Sequence, residues 1–249
     1  MTLRPRVLSH EVLLVLGVSL GMSAAYSIVS LIAKLTAEKP LAQQTTSLNT
    51  SQAPGRPWLD LTLQLMGIFF AIVPALLAIH LLNRTGSARS ELGLDTQHPG
   101  LDTAFGVGLA ALIGIPGLGL YVAAVKLGIN TTVAAANLPP YWWAIPVLIL
   151  AAFGNGLLEE VVVVGYLLTR LREIGWRTWH AVAASAVLRG SYHLYQGFGA
   201  FVGNCLMGVV FALFFLRVKR VLPLVIAHTL LDVAAYLGYT YLRDRVGFL

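Results

Sequence analysis

Residues 141–168 of the chain read YWWAIPVLILAAFGNGLLEEVVVVGYLL. An α-helix needs about 20 predominantly apolar residues to cross a bilayer, and this stretch exceeds that length. Its only charged side chains are the adjacent carboxylates of Glu159 and Glu160. Because a charge inside a membrane is costly, it usually marks a functional site. The stretch therefore predicts a membrane-spanning helix that carries chemistry.

The composition of the whole chain agrees with a membrane protein. Of its 249 residues, 57% are apolar and 11% are charged, whereas a soluble domain has about 25% charged residues. Six further apolar stretches have the length of a span: about 12–32, 60–82, 103–126, 178–195, 199–217 and 221–242. The sequence predicts an all-α, polytopic transmembrane helical bundle of about seven spans (six to eight), forming a single integral membrane domain over residues 1–249.

The basic residues predict the orientation of this bundle. The net charge is +6, but all but one of the lysines and arginines lie at the ends of apolar stretches rather than on one basic face, so nucleic acid is not an expected partner. If the N-terminus is cytoplasmic, ten of these basic residues lie on the inside and six on the outside. This excess predicts a cytoplasmic N-terminus for the multi-pass protein. The lone Cys205 excludes a disulfide framework and a cysteine-based zinc site.

A small set of ionisable side chains lies well inside the predicted spans: Glu159, Glu160, Arg189, His193, His228 and Asp232. Arg189 and His193 are four residues apart, as are His228 and Asp232. Residues with this spacing share one face of a helix. Polar faces are unsatisfied against lipid, so we expect these faces to meet in an internal cavity.

Two kinds of chemistry are compatible with these residue types. A glutamate and a histidine can move protons between water and a leaving amine, and His228 beside Asp232 could stabilise an oxyanion. Equally, Glu159, His193, His228 and Asp232 are nitrogen and oxygen ligands that zinc accepts. No His-Glu-x-x-His motif is present, so a metal would have to be held across three helices.

The order of these residues resembles the CPBP intramembrane proteases, which include the type II CAAX prenyl endopeptidases and the bacterial Abi proteins. The family carries Glu-Glu-x-x-x-Arg, then Phe-x-x-x-His, then His-x-x-x-Asn or His-x-x-x-Asp. The matching segments here are EEVVVV at 159–164, RGSYH at 189–193 and HTLLD at 228–232. Order, spacing and placement in apolar stretches carry the resemblance, over a core of about 150–240.

The resemblance implies an endopeptidase that hydrolyses a peptide bond within the membrane. Glu159 would activate water with the aid of His193, while His228 and Asp232 would stabilise the oxyanion or complete a metal site. In one alternative, Glu159, His193 and His228 would bind a divalent metal, with zinc as the main candidate. In the other, the glutamate mechanism uses no metal. The expected partners are a membrane-associated peptide or protein substrate and the lipid bilayer, and the expected location is a bacterial plasma membrane.

Two positions depart from the family pattern. Val164 stands where the first motif has its arginine, and Arg189 stands where the second has its phenylalanine. A buried carboxylate without a partner would take up a proton instead. We therefore expect Arg189 to pair with Glu160 across two helices, so that both residues orient the site.

Two other functions remain possible from the sequence. A catalytically silent family member acting as a binding or immunity protein would be expected to have lost Glu159, His193 or His228, and all three are present. A proton-coupled transporter would also place ionisable groups in the membrane. Its polar groups should line a route through both halves of the chain, and the first three predicted spans lack such groups.

Overall fold

A computed structural model describes residues 4–243 and Arg245. The ends of the predicted domain, residues 1–3, 244 and 246–249, lie outside the described residues. The helices are α1 (Pro5–Gly17), α2 (Leu20–Leu35), α3 (Pro57–Asn83), α4 (Ala88–Leu92), α5 (Pro99–Lys126), α6 (Ala144–Glu159), α7 (Leu167–Ile174), α8 (Thr178–Ser191), α9 (Phe198–Val218) and α10 (Leu222–Leu242). The strands β1 (Thr45–Ser47) and β2 (Thr132–Ala134) pair in parallel. The predicted all-α bundle is confirmed.

Within the described residues, five helical stretches are long and apolar enough to span a membrane: Pro57–Asn83, Pro99–Lys126, Ala144–Ile174, Phe198–Val218 and Leu222–Leu242. Helices α1 and α2 meet at a 52° bend and give a sixth span if the bent pair crosses as one. Ser19 at this bend has a non-helical backbone, with φ of −141°. Its hydroxyl donates a 2.6 Å hydrogen bond to the carbonyl of Val15, which satisfies a backbone group freed by the break.

The predicted span at 178–195 differs from what the structure contains. Helix α8 has 14 residues and ends at Ser191, a length of about 21 Å at 1.5 Å per residue, which is shorter than a bilayer core. His193 follows in a turn, and Leu194–Gln196 form a short 3₁₀ helix. The expectation that Arg189 and His193 share one helix face is therefore wrong. The chain reverses at Gly197, whose φ of 125° suits a residue without a side chain.

Ala144–Ile174 forms one span, but its hydrogen-bonding pattern changes in the middle. Between α6 and α7, residues Glu160–Tyr166 form a π-helix. Four successive valines occupy this stretch, and β-branched residues are weaker helix formers than unbranched ones. All seven π-helical residues are buried. Wide turns of this kind often occur at functional sites, and this one begins directly after Glu159.

The loops at one end of the bundle form a capping layer, residues 44–50 and 129–137. Strands β1 and β2 join the two loops, and the hydroxyls of Thr46 and Thr131 lie 2.7 Å apart. The backbone N–H of Thr131 donates to the carbonyl of Gln196 at 2.9 Å. The capping layer is therefore attached to the turn that carries His193.

A buried arginine joins three helices at the opposite end. Arg170 of α7 is fully buried, and its Nε lies 2.8 Å from Glu11 of α1. Its guanidinium also donates to the Thr85 hydroxyl and to the carbonyl of Leu81, each at 2.8 Å. These contacts place α1, α7 and the C-terminal end of α3 on the same side of the bundle.

Candidate active site

The predicted ion pair between Arg189 and Glu160 is present. Arg189 projects from α8 and is fully buried, with Nη2 at 2.8 Å from both carboxylate oxygens of Glu160. Its Nη1 lies 3.3 Å from Oε2 of Glu159, and its guanidinium carbon is 5.5 Å from the ring centre of Phe211. The guanidinium of Arg189 on α8 thus neutralises the carboxylate of Glu160. Val164, at the position of the motif's arginine, has no charge and cannot do so.

Glu159 occupies the centre of the site and retains an accessible oxygen. Its Oε2 accepts hydrogen bonds from the Tyr192 hydroxyl at 2.6 Å and from Arg189. Its other oxygen, Oε1, has no hydrogen bond within the described part of the chain, and the side chain is 11% exposed. Both oxygens of Glu160, in contrast, are bonded to Arg189. Glu159 is therefore the carboxylate of the pair that can accept a proton from a reacting molecule.

His193 lies beside Glu159 without contacting it directly. Its Nε2 is 4.0 Å from Oε2 of Glu159, beyond the range of a hydrogen bond. Among the described residues neither ring nitrogen has a partner, although both are buried. The ring lies against Tyr192 and Tyr195, with ring centres 4.9 and 6.4 Å away. An imidazole with two free nitrogens can bond to a molecule that enters the site.

His228 of α10 contacts the second carboxylate. Its Nδ1 lies 2.6 Å from Oε1 of Glu160 and 4.0 Å from Oε2 of Glu159. Because Glu160 is paired with Arg189, its carboxylate acts as an acceptor, and Nδ1 of His228 donates to it. Nε2 of His228 is 3.8 Å from Oδ1 of Asp232. The ring is thereby fixed by one nitrogen and has the other directed toward Asp232.

Asp232 is held by two residues that the motifs do not include. Its Oδ2 accepts hydrogen bonds from the Asn155 amide at 3.3 Å and from the Tyr236 hydroxyl at 3.1 Å. Asn155 precedes Glu159 by one turn, and Tyr236 follows Asp232 by one turn. This spacing is the sequence signal that could have revealed Tyr236. Tyr192 had no comparable signal, since it reaches Glu159 only because α8 has already ended.

The buried group of Glu159, Glu160 and His228 could bind a metal, because each offers one ligand atom within 4.8 Å of the others. This group differs from the predicted ligand set, which has His193 in place of Glu160. Arg189 already bonds both oxygens of Glu160, so the guanidinium competes with any ion there. The free oxygen of Glu159 and the free nitrogens of His193 are donors of the type that zinc prefers.

A bundle of apolar helices with carboxylates and imidazoles buried at its centre defines an integral membrane protein with an internal polar site. Residues 141–234 match the family model of the type II CAAX prenyl endopeptidases, Rce1-like. The match makes this segment similar to that family of peptidases, which confirms the resemblance drawn from the three motifs. No curated protein and no solved structure shows significant similarity to the chain.

Proposed function

We propose that this protein is an intramembrane endopeptidase in which Glu159 activates the attacking water. The arrangement of Glu159 and His193 carries the proposal. Glu159 has an unbonded carboxylate oxygen, and Nε2 of His193 lies 4.0 Å from its other oxygen. Both nitrogens of His193 are buried and unpartnered among the described residues. A water molecule between these two side chains would be held by one and deprotonated by the other.

In the proposed reaction, Glu159 takes one proton from water while the water oxygen forms a bond to the scissile carbonyl carbon. His193 holds the water during this attack. When the carbon–nitrogen bond breaks, the proton on Glu159 passes to the leaving nitrogen. The products are a carboxylic acid and an amine, and Glu159 returns to its ionised state.

His228 is the proposed donor to the oxyanion. Nδ1 of His228 is bonded to Glu160 at 2.6 Å, which leaves Nε2 for the developing negative charge. Oδ2 of Asp232 accepts hydrogen bonds from Asn155 and Tyr236, and these bonds hold the side chain in place beside His228. Its role is to orient His228 from 3.8 Å.

Glu160 and Arg189 are proposed as positioning residues. Arg189 bonds both oxygens of Glu160 and also approaches Glu159. Its positive charge reduces the repulsion between the two carboxylates, and its hydrogen bonds fix their orientations. Tyr192 holds Oε2 of Glu159 at 2.6 Å. The remaining oxygen of Glu159 is then directed to the substrate.

If the enzyme uses a divalent ion, of which zinc is the main candidate, Glu159, His193 and His228 would bind it. The ion would act as a Lewis acid toward the scissile carbonyl. Metal analysis of the purified protein separates this from a metal-free mechanism. With a bound ion we expect about one zinc per chain, reduced in His193→Ala and in His228→Ala. A metal-free mechanism predicts full turnover after chelation.

The proposed substrate is a membrane-anchored peptide or protein. The family description points to a prenylated C-terminal CAAX segment, but specificity depends on the pocket rather than on the fold. We propose a location in a bacterial plasma membrane, and the distribution of basic residues supports a cytoplasmic N-terminus.

Cleavage of membrane-anchored peptides by the purified protein tests the proposal, with prenylated and unprenylated versions of each peptide. General acid–base catalysis contributes about 10²- to 10⁴-fold, and we expect a loss of that order in Glu159→Gln, His193→Ala and His228→Ala. Glu38→Gln, in an exposed loop, is the matched control and should keep full turnover. Equal turnover in all variants would contradict the enzymatic function.

A further inference from the structure

A short segment of the capping layer, residues 129–131, packs against the turn between α8 and α9. The backbone N–H of Phe198 donates to the carbonyl of Ile129 at 2.9 Å. The carbonyl of Gln196 accepts hydrogen bonds from the backbone N–H of Thr131 at 2.9 Å and from the Thr131 hydroxyl at 3.0 Å. The segment therefore holds the chain at the point where the turn ends and α9 begins.

Asn130, in the middle of this segment, supplies an N-terminal cap for α9. The helix begins after Gly197, which has no side chain to bond the free N–H groups of the first turn. Oδ1 of Asn130 accepts a 3.0 Å hydrogen bond from the backbone N–H of Ala200, the third residue of the helix, as an N-cap side chain does. A Cβ at Gly197 would lie 2.6 Å from this oxygen, so only glycine permits the approach. Asn130 is 1% exposed, which leaves no room for water to replace the cap.

The position of the His193 ring depends on the backbone of the same turn. Neither ring nitrogen has a hydrogen-bond partner among the described residues, so no side chain fixes the imidazole in this way. The carbonyl of His193 accepts a 3.0 Å hydrogen bond from the N–H of Gln196, and the carbonyl of Gln196 is held by Thr131. A shift of the segment 129–131 would therefore displace the imidazole.

We propose that Asn130 is a positioning residue for His193, through the cap that it forms on α9. The inference rests on the proposed peptidase function, in which His193 holds the attacking water beside Glu159. Within the described part of the chain, the Asn130 side chain bonds to backbone groups of Ala200 and Thr131 and to none of the candidate catalytic groups. Because the cap acts on the chemical step and not on substrate binding, its loss should reduce kcat and leave KM unchanged.

Turnover of the membrane-anchored peptides by purified full-length variants tests this role. We expect the kcat of Asn130→Ala to fall at least about tenfold, since a displacement of about 1 Å can cost about 10²-fold. Asn130→Asp keeps the acceptor oxygen, and a negative charge is favourable at a helix N-terminus, so it should restore kcat to near the wild-type value. Asn137→Ala is the matched control from the same capping layer and should keep wild-type turnover. Among the described residues, the Asn137 side chain bonds only to the carbonyl of Ala134.

A second measurement reports the position of His193 without turnover. Diethyl pyrocarbonate modifies imidazole nitrogens, and mass spectrometry of peptide fragments gives the rate at His193. This rate should rise severalfold in Asn130→Ala and stay at the wild-type value in Asn130→Asp and Asn137→Ala. If Asn130→Ala does not fold, Thr131→Val takes its place in both measurements, because it removes the hydroxyl that bonds Gln196 and has a similar size.

The proposed function and the role of Asn130 fail in different ways. Full turnover in Glu159→Gln would contradict the function, and an unchanged modification rate in Asn130→Ala would then overturn the positioning role as well. If Glu159→Gln loses turnover but Asn130→Ala and Asn137→Ala have equal kcat values, only the positioning role is wrong. A change in KM alone, or no recovery in Asn130→Asp, would also overturn it.

Discussion

Arg189 shows how a buried charge can be supplied from a different helix. In the family motif the arginine follows the second glutamate by one turn, and Val164 occupies that position here. The guanidinium instead reaches Glu160 from α8, where the family has a phenylalanine. An arginine and a carboxylate that are both fully buried each leave an uncompensated charge if the other is removed.

A double-mutant cycle on Glu160 and Arg189 measures this dependence. Removing one partner of a buried pair destabilises a protein by about 3–5 kcal/mol, so we expect that loss from Arg189→Met and a similar one from Glu160→Gln. The double variant should lose less than the sum of the two. Thermal unfolding in detergent measures the effects, and Arg217→Gln, an exposed arginine, is the control. Additive losses would mean that the two side chains do not depend on each other.

The ionisable residues of the candidate site were predictable from the sequence, but some of their contacts were not. Glu159, His193 and His228 were visible because charges and imidazoles are rare inside apolar stretches. The Arg189–Glu160 pair followed from the cost of an unpaired buried charge. Tyr192 lies inside the second motif, but its hydrogen bond to Glu159 was not predictable, because the hydroxyl reaches Glu159 only through the path of the chain after α8. The third residue that could hold a metal with Glu159 and His228 was also not predictable, because it depends on side-chain geometry.

At the scale of elements, the early end of α8 determines where His193 lies. Hydropathy predicts a single span through 178–195, because the residues after Ser191 contain no proline and no charge other than an ionisable imidazole. The structure ends the helix there and holds the following turn by contacts from distant loops. The capping layer and α2 supply those contacts. Long-range hydrogen bonds of this kind leave no periodic signal in the sequence.

Ser27 of α2 is one of these contacts. The backbone N–H of Tyr195 donates a 2.7 Å hydrogen bond to the Ser27 hydroxyl, and Ser27 is buried. Loss of a buried hydrogen-bond partner costs about 1–3 kcal/mol. In Ser27→Ala we therefore expect hydrogen exchange at residues 192–197 to accelerate about fivefold or more, with reduced peptidase turnover.

Ser23→Ala is the matched control for this change. Ser23 lies one turn earlier on α2, and among the described residues its hydroxyl bonds only to the carbonyl of Ser19, at 3.5 Å. Exchange at residues 192–197 should stay at the wild-type rate. If Ser27→Ala and Ser23→Ala gave the same exchange pattern, α2 would not hold the turn that carries His193.

Arg220 makes a second long-range connection, between two loops at the other end of the bundle. Its guanidinium bonds both oxygens of Asp102 at 2.7 Å and Oδ1 of Asp95 at 3.0 Å. The hydrogen bond from Arg220 lowers the pKa of Asp95 below its ordinary value of 3.8. A lowered folded-state pKa stabilises the protein above the unfolded-state pKa, and this contribution disappears as the pH falls through the folded-state pKa.

The pH dependence of unfolding tests this connection. Asp95→Asn should lower the unfolding temperature at pH 7, and the difference from wild type should shrink as the pH falls below about 3.8, the unfolded-state value for aspartate. Thermal unfolding in detergent between pH 7 and pH 3 measures the difference. Glu38→Gln, an exposed carboxylate, should match the wild type throughout. A difference for Asp95→Asn that is the same at pH 7 and pH 3 would contradict the role of the Asp95 charge.

At the scale of the whole molecule, contacts between loops show which loops lie together at each end of the helical bundle. Arg170 joins α1, α3 and α7 at one end, and Arg220 attaches the α4–α5 loop to the α9–α10 loop. The loops after α2 and after α5 meet at the other end through β1 and β2. The sequence predicted spans and basic ends, but it contained no signal for these pairings.

Single cysteines introduced on opposite sides test both the fold and its orientation. In a Cys205→Ser background, Glu38→Cys reports the loop after α2 and Gln97→Cys reports the loop before α5, both at exposed positions. With a cytoplasmic N-terminus, a membrane-impermeant maleimide should label Glu38→Cys in intact cells and Gln97→Cys only after permeabilisation. The reverse result would overturn the orientation that the basic residues predict while keeping the two loops on opposite sides. Labelling of both positions in intact cells would contradict the arrangement of the helices, because the contacts of Thr46 and Arg220 place those loops at different ends.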